Sequence, residues 1–194
     1  MAPFALPTGV TPVALPSPAG ELSGLLVGPS TPSLLDGTPS ICAVPSSGDA
    51  RANRVLLVPG YTGSKEDYAP VLPFLGTDGW DALAYSQRGQ GGSAAPAGLG
   101  AYGMSDFVAD LVSIAEAWAG ASGRVHLVGH SFGGIVARAA VIARPDLFAS
   151  VTLFCSGRAV YDWMSTLPVL DPLPAGEGAR EQVLRTYFPD MTLT

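Results

Sequence analysis

The chain has 194 residues, with 24 Gly, 18 Pro, 47% hydrophobic residues, only 13% charged ones and a formal net charge of −6. That length fits a single α/β domain, and the apolar fraction is enough for a core, which excludes wholesale disorder. With 10 Lys+Arg against 16 Asp+Glu and no basic run, the charge balance points away from a nucleic-acid partner.

No apolar stretch approaches the ~18 residues of a membrane span, so no membrane partner is expected. Residues 1–18 carry no positive side chain and are broken by prolines, which is unlike a signal peptide. Cys42 and Cys155 lie far apart in sequence. Their spacing gives neither a disulfide framework nor a metal site, so the expectation is a reduced, cytoplasmic protein with no metal.

In chain order, nine of the 18 prolines fall within residues 1–50. Each proline removes a backbone donor, so residues 1–53 are expected to be irregular, with short edge strands only. The best candidates are Glu21 to Val27 and Ser40 to Val44. From residue 54 the texture changes. Arg54 to Val58 is a continuous apolar run ending at Pro59-Gly60, as expected of a strand covered on both faces. Trp80 to Tyr85, Arg124 to Val128 and Ser150 to Cys155 read as further strands of this kind.

Helical patterns lie between them. A short helix follows Ser64, with Asp67 in capping-box position and Pro70 and Pro73 limiting its extent. Ser105 is placed to cap a helix whose apolar positions Phe107, Val108, Leu111, Val112, Ala115 and Trp118 recur at helical spacing. Another helix starts near Ser131 and stops before Pro145. Strands alternating with helices predict an α/β fold with a mostly parallel sheet and helices on both faces. Residues 54–157 form its core. Beyond Gly157 short helical patterns, Tyr161 to Thr166 and Gly178 to Phe188, are interrupted by prolines, and residues 158–194 read as the start of a lid or cap.

The segment Val125-His126-Leu127-Val128-Gly129-His130-Ser131-Phe132-Gly133-Gly134 carries the chemistry. It is a strand, then G-x-S-x-G, then a helix. A hydroxyl attacks an acyl carbon only if it projects from the backbone and the oxyanion formed meets preset donors. A strained strand-to-helix turn lifts Ser131 Oγ above the sheet edge, and the helix N-terminus aims the Phe132 N–H at the developing charge. Gly129 and Gly133 are small because strand and helix backbones nearly touch. Earlier, the glycine turn Pro59-Gly60-Tyr61-Thr62-Gly63 offers a second donor, the Tyr61 N–H.

Three segments together resemble the α/β-hydrolase family, in its actinobacterial type. They are Pro59-Gly60-Tyr61-Thr62-Gly63-Ser64-Lys65-Glu66-Asp67, then Tyr85-Ser86-Gln87-Arg88-Gly89-Gln90-Gly91-Gly92-Ser93, then the turn at Ser131. The resemblance implies an eight-stranded, mostly parallel sheet and a serine hydrolase mechanism without metal or organic cofactor. In the middle segment Ser86 stands where the family usually has Asp, a departure expected to touch loop packing more than chemistry.

Serine needs a base to take its proton and an acid to orient that base. The family order is Ser, then Asp or Glu, then His. Here the two histidines, His126 and His130, both precede Ser131. His126 is expected in the packed strand and His130 as a structural residue of the turn, pointing away from Ser131 Oγ. Asp162, Asp171 and Asp190 are candidate acids in name, with solvated loop carboxylates the plainer reading. The single lysine, Lys65, lies beyond the glycine turn, which disfavours a Ser-Lys pair.

The catalytic machinery is therefore incomplete in these residues. The expectation is a C-terminally truncated chain lacking the last strands, or a non-catalytic descendant. Val151 to Cys155 would then present an apolar edge. The function expected is serine-dependent hydrolysis of an ester or related small-molecule acyl substrate. Epoxide hydrolases and dehalogenases on this fold use an Asp nucleophile, so Ser131 argues against those activities. The alternative is a non-catalytic binding or interaction protein. Substrate and oligomeric state stay open.

Overall fold

A computed structural model of the protein describes residues 5–28, 53–119 and 123–157. Their strands are β1 (Thr11–Ser17), β2 (Gly20–Val27), β3 (Arg54–Val58), β4 (Asp81–Tyr85), β5 (Val125–His130) and β6 (Phe148–Phe154). The helices are α1 (Leu72–Thr77), α2 (Met104–Ala119) and α3 (Phe132–Ala143). The strands form one sheet in the order β1-β2-β4-β3-β5-β6. Pairs β3–β4, β3–β5 and β5–β6 are parallel, whereas β1–β2 and β2–β4 are antiparallel.

The continuous apolar runs follow from burial on both sides of this sheet. Leu22 and Leu26 of β2, Leu56 and Val58 of β3, and Leu83 and Tyr85 of β4 pack on one face, against Leu111, Ile114 and Trp118 of α2 and Val136 of α3. The alternate residues, Leu25, Val27, Val55, Leu57, Ala82 and Ala84, pack on the other face around Tyr68, Ala69 and Leu72. Each fully buried leucine contributes about 2 kcal/mol of transfer free energy, so a polar residue in any of these strands would be costly. Helices therefore cover both faces, as the α/β pattern predicts.

Several elements differ in detail from the sequence expectation. β1 was not expected, because it contains Pro12 and Pro16. The two prolines share strand parity with Ala14. The tight turn closes between Ser17 and Gly20, so odd-numbered residues of β1 bond to β2 and even-numbered ones face the open edge. Neither proline costs a ladder hydrogen bond there.

The short helix after Ser64 is split into a single 3-10 turn, Lys65–Tyr68, and α1, with Pro73 in the first turn of α1. Asp67 does reach back, its Oδ2 accepting the Ser64 N–H at 3.2 Å. Ser105 is not the cap of α2. That helix begins at Met104, and Gly103 takes the capping position: its N–H donates to Asp106 Oδ2 at 3.0 Å, and its carbonyl accepts the Asp106 N–H at 3.0 Å.

β6 is not covered on both faces among the described residues. Only Phe148 is buried, while Val151, Leu153 and Phe154 are 38–42% exposed. The expected strand at Ser40 to Val44, the helices beyond Gly157 and Asp162, Asp171 and Asp190 lie outside the described residues.

Candidate active site

β3 and β5 are neighbours, yet the segments that follow them lie on opposite faces of the sheet: Tyr68 and Leu72 on one, α3 on the other. In open α/β sheets, divergence of this kind marks the usual ligand position, beyond the carboxyl ends of the strands. The pairing register sets Val58 opposite Gly129. Two residues further on, Gly60 meets Ser131: a Cβ built on Gly60 would lie 3.4 Å from Ser131 Cβ.

Ser131 is the sharp corner that the sequence predicts. Its φ is 52° and ψ −120°, backbone space that a residue with a Cβ rarely enters. Three bonds hold it there. The Ser131 N–H donates to the Phe154 carbonyl at 3.1 Å, and the Ser131 carbonyl accepts from the Gly134 N–H at 3.0 Å and from Ser156 Oγ at 2.9 Å. The tight approach of strand to helix explains the glycines. A Cβ on Gly129 would lie 2.5 Å from Gly134 Cα, and one on Gly133 would overlap the carbonyl oxygens of Pro59 and Val58. Gly134 belongs to the same set, because its Cβ would lie 2.6 Å from Ser156 Cβ.

The Pro59–Tyr61 turn is clamped from behind. Gln87 Nε2 donates to the Pro59 carbonyl at 3.0 Å. Gln90 Nε2 donates to the Gly60 carbonyl at 3.0 Å and to the Tyr61 carbonyl at 2.7 Å. The Gly63 N–H also donates to the Gly60 carbonyl, at 3.2 Å. In a planar trans peptide the N–H opposes the C=O, so the Tyr61 N–H points away from Gln90. The Tyr61 ring is 58% exposed and meets Phe132 edge-on at 5.8 Å; Phe132 in turn meets Phe107 at 5.2 Å. Tyr61, Phe132 and Ser131 are thus brought together.

Neither histidine is hydrogen-bonded to Ser131. His126 is half-buried rather than in the packed core. Its Nδ1 lies 2.8 Å from Ser150 Oγ on the adjacent strand, and its ring meets Trp80 edge-on. His130 stacks on Phe154 at 4.7 Å, and its Nδ1 would lie 3.2 Å from a Cβ on Gly60. Lys65 is buried away from the serine, its Nζ donating to the Gly91 carbonyl at 2.8 Å and pairing with Glu66 at 2.6 Å.

The loop after β4 is the scaffold for the turn. Ser86, at the position where Asp was expected, is fully buried and its Oγ accepts the Lys65 N–H at 3.1 Å. Arg88 is buried against α2, donating to Asp110 Oδ2 at 2.7 Å, the Ala101 carbonyl at 2.6 Å and the Asp106 carbonyl at 3.0 Å. The Asp110 hydrogen bond raises the Arg88 pKa above its ordinary value and holds the charge in place. Burial pushes the Tyr68 phenol up, so it remains a donor, bonding to the Val58 carbonyl at 2.9 Å at the end of β3.

The roles of Gln87, Gln90 and Ser156 were not foreseen from sequence, because their partners lie 25–30 residues away. Among the described residues no group of three or more His, Cys, Asp or Glu could hold a metal ion. No helix among them is long and apolar enough to cross a membrane.

Comparison with known proteins agrees with this architecture. A protein named as a candidate carbamate hydrolase, RutD, from Variovorax paradoxus is 39% identical over 106 residues, covering 55% of this chain and 39% of that protein. Epoxide hydrolase A of Mycobacterium tuberculosis is 32% identical over 125 residues, covering 64% of this chain and 38% of its own length. The chain thus spans under two-fifths of the curated relatives it matches.

The solved structure of an epoxide hydrolase from an endophytic Streptomyces superposes with a TM-score of 0.60 at 28% identity, covering 76% of this chain and 37% of that one. An α/β hydrolase from Novosphingobium aromaticivorans gives 0.57 at 23% identity, covering 75% and 44%, a likeness of fold alone. The family model described as the alpha/beta hydrolase fold matches residues 53–184, and with the sheet and the corner at Ser131 in agreement, the chain belongs to the α/β hydrolase fold family.

Proposed function

We propose that Ser131 is the nucleophile of an acyl hydrolase, with the Tyr61 and Phe132 N–H groups as its oxyanion donors. The observation that carries this reading is the backbone of Ser131, a strained corner at a helix N-terminus beside the clamped Gly60–Tyr61 peptide. Strain at one serine is retained where it serves a site. Ser131 Oγ attacks the carbonyl carbon of an ester or related acyl compound. The C–O bond forms, the carbonyl π pair moves onto oxygen between the two amides, and a base takes the hydroxyl proton. Collapse expels the protonated leaving group. Water then repeats the sequence on the acyl-serine and releases the acid.

The base is not among the residues bonded near Ser131, since His126 faces Ser150 and His130 faces Phe154. That observation favours a second reading, a binding or interaction protein that keeps the site without turnover. A nucleophilic serine rather than a carboxylate supports acyl transfer over epoxide opening.

Labelling with a fluorophosphonate, with and without added imidazole as external base, separates the readings. The expected result is a covalent adduct on Ser131 whose formation is accelerated by imidazole and abolished in Ser131→Ala. Absence of an adduct on Ser131 of the folded chain at every imidazole concentration overturns the nucleophile reading and leaves the binding one.

A further inference from the structure

Among the groups outside the reacting atoms, Gln90 has the most specific arrangement. Its one carboxamide nitrogen donates to two successive carbonyls, Gly60 at 3.0 Å and Tyr61 at 2.7 Å. Those carbonyls belong to the peptides on either side of the Tyr61 Cα. The orientation of the carboxamide is itself fixed, because Gln90 Oε1 accepts the Gln87 N–H at 3.2 Å. Exchanging oxygen and nitrogen would set Oε1 against two carbonyls and the Nε2 hydrogens against a donor.

Gln87 secures the preceding peptide through Pro59, and its side chain is almost fully buried. Three consecutive carbonyls of the turn are thereby held by the two glutamine side chains. The N–H of each peptide is antiparallel to its C=O, so the bonds from Gln90 and from the Gly63 N–H to the Gly60 carbonyl together set the direction of the Tyr61 N–H.

We infer that Gln90 is a positioning residue for the oxyanion site: its carboxamide holds the Gly60–Tyr61 peptide so that the Tyr61 N–H points to the oxygen of an acyl group attacked by Ser131. The inference rests on the reading of Ser131 as nucleophile. Gln90 does not touch the substrate; it acts through the peptide plane. A preset donor is effective because it needs no reorganisation as charge develops, and without Gln90 the Gly60 carbonyl keeps only the Gly63 N–H, at 3.2 Å, while the Tyr61 carbonyl loses its side-chain donor.

Two variants test the inference in the full chain. Gln90→Met keeps the length and removes both donors and the acceptor. Gln90→Glu keeps an acceptor for the Gln87 N–H, removes the donors and sets a carboxylate against the two carbonyls. The readouts are the second-order rate of fluorophosphonate labelling of Ser131, in saturating imidazole, and the amide resonance of Tyr61 in a 1H–15N spectrum.

Both variants are expected to label about 10- to 100-fold more slowly than the parent, the scale of a misplaced or lost donor. The Tyr61 amide resonance should move or broaden in both, while urea unfolding midpoints stay close to the parent. A purely structural role would lower the midpoint and leave the rate of the folded fraction and the Tyr61 resonance unaltered. Labelling at the parental rate in either folded variant, or an unmoved Tyr61 resonance, overturns the inference and leaves the Ser131 reading intact. Failure of the parent itself to label at Ser131 overturns both. Should Gln90→Met not fold, Gln90→Glu decides alone.

Discussion

Replacing Ser131 with glycine should stabilise the protein relative to alanine, in contrast to the usual effect of glycine next to a helix. The backbone at Ser131, φ 52° and ψ −120°, is one that a Cβ disfavours; a residue held in such space stores about 1–3 kcal/mol. Alanine keeps that strain, whereas glycine releases it. Against this, glycine gains more freedom on unfolding, a cost of about 0.5–1 kcal/mol. The Ser131 carbonyl and N–H bonds to Gly134, Ser156 and Phe154 are main-chain on the serine side, so both variants keep them.

Subtraction leaves Ser131→Gly about 1 kcal/mol more stable than Ser131→Ala. Equilibrium urea unfolding reads this directly. With a denaturant dependence of about 1–3 kcal/mol per molar, the glycine midpoint should lie ~0.3–1 M above that of alanine. A glycine variant equal to or less stable than the alanine variant would refute the strain argument, and with it the physical reason for the projecting hydroxyl.

Two further outcomes follow from the scaffold. Asp110→Ala removes the nearer carboxylate of Arg88, which is 5% exposed, leaving Asp106 at 3.5 Å, and also removes the acceptor of the Ala19 N–H at 3.1 Å. Loss of the shorter ion pair should cost about 2–4 kcal/mol in urea unfolding, below the full value for an unpaired buried charge because Asp106 remains, and the double variant Arg88→Met with Asp110→Leu should recover at least half of the loss; a loss under 1 kcal/mol for the single variant would show the pair to be solvated.

Burial alone would raise the Glu66 carboxyl, but hydrogen bonds from Lys65 and Ser64, its own amide and the Lys65 charge outweigh it and leave the pKa below 4.5. A depressed carboxyl stabilises the fold above its unfolded value and loses that contribution as pH falls through the folded value. The stability difference between the parent and Glu66→Gln should therefore be largest above pH 5 and shrink on acidification. A difference that grows as the pH falls would contradict the sign.

The central strands and the corner at Ser131 were legible in the sequence because each rests on a short-range rule. A strand buried on both faces must be apolar along its length, and β3 and β4 are so at every position after their first, where Arg54 and Asp81 stand. A strand-to-helix corner needs small residues at Gly129 and Gly133, and both are present. β1 was hidden, since proline is a poor strand former until one knows which edge is open; Pro12 and Pro16 share the outward parity, which only the hairpin register reveals. The cap of α2 moved from Ser105 to Gly103 because a glycine carbonyl and Asp106 did the work expected of a hydroxyl. The clamp on the Tyr61 peptide was invisible for another reason. Gln87 and Gln90 resemble any polar loop residues until the fold brings them against carbonyls 28 to 30 positions earlier.

The bond between the Ala19 N–H and Asp110 has a temporal meaning as well as a spatial one. The two residues are 91 positions apart. At a synthesis rate of roughly 5–20 residues per second, the ribosome delivers the aspartate about 5–18 seconds after the alanine. Throughout that interval the β1–β2 hairpin lacks this anchor. A hairpin made early is thus joined to α2 only after a further 91 residues have been added.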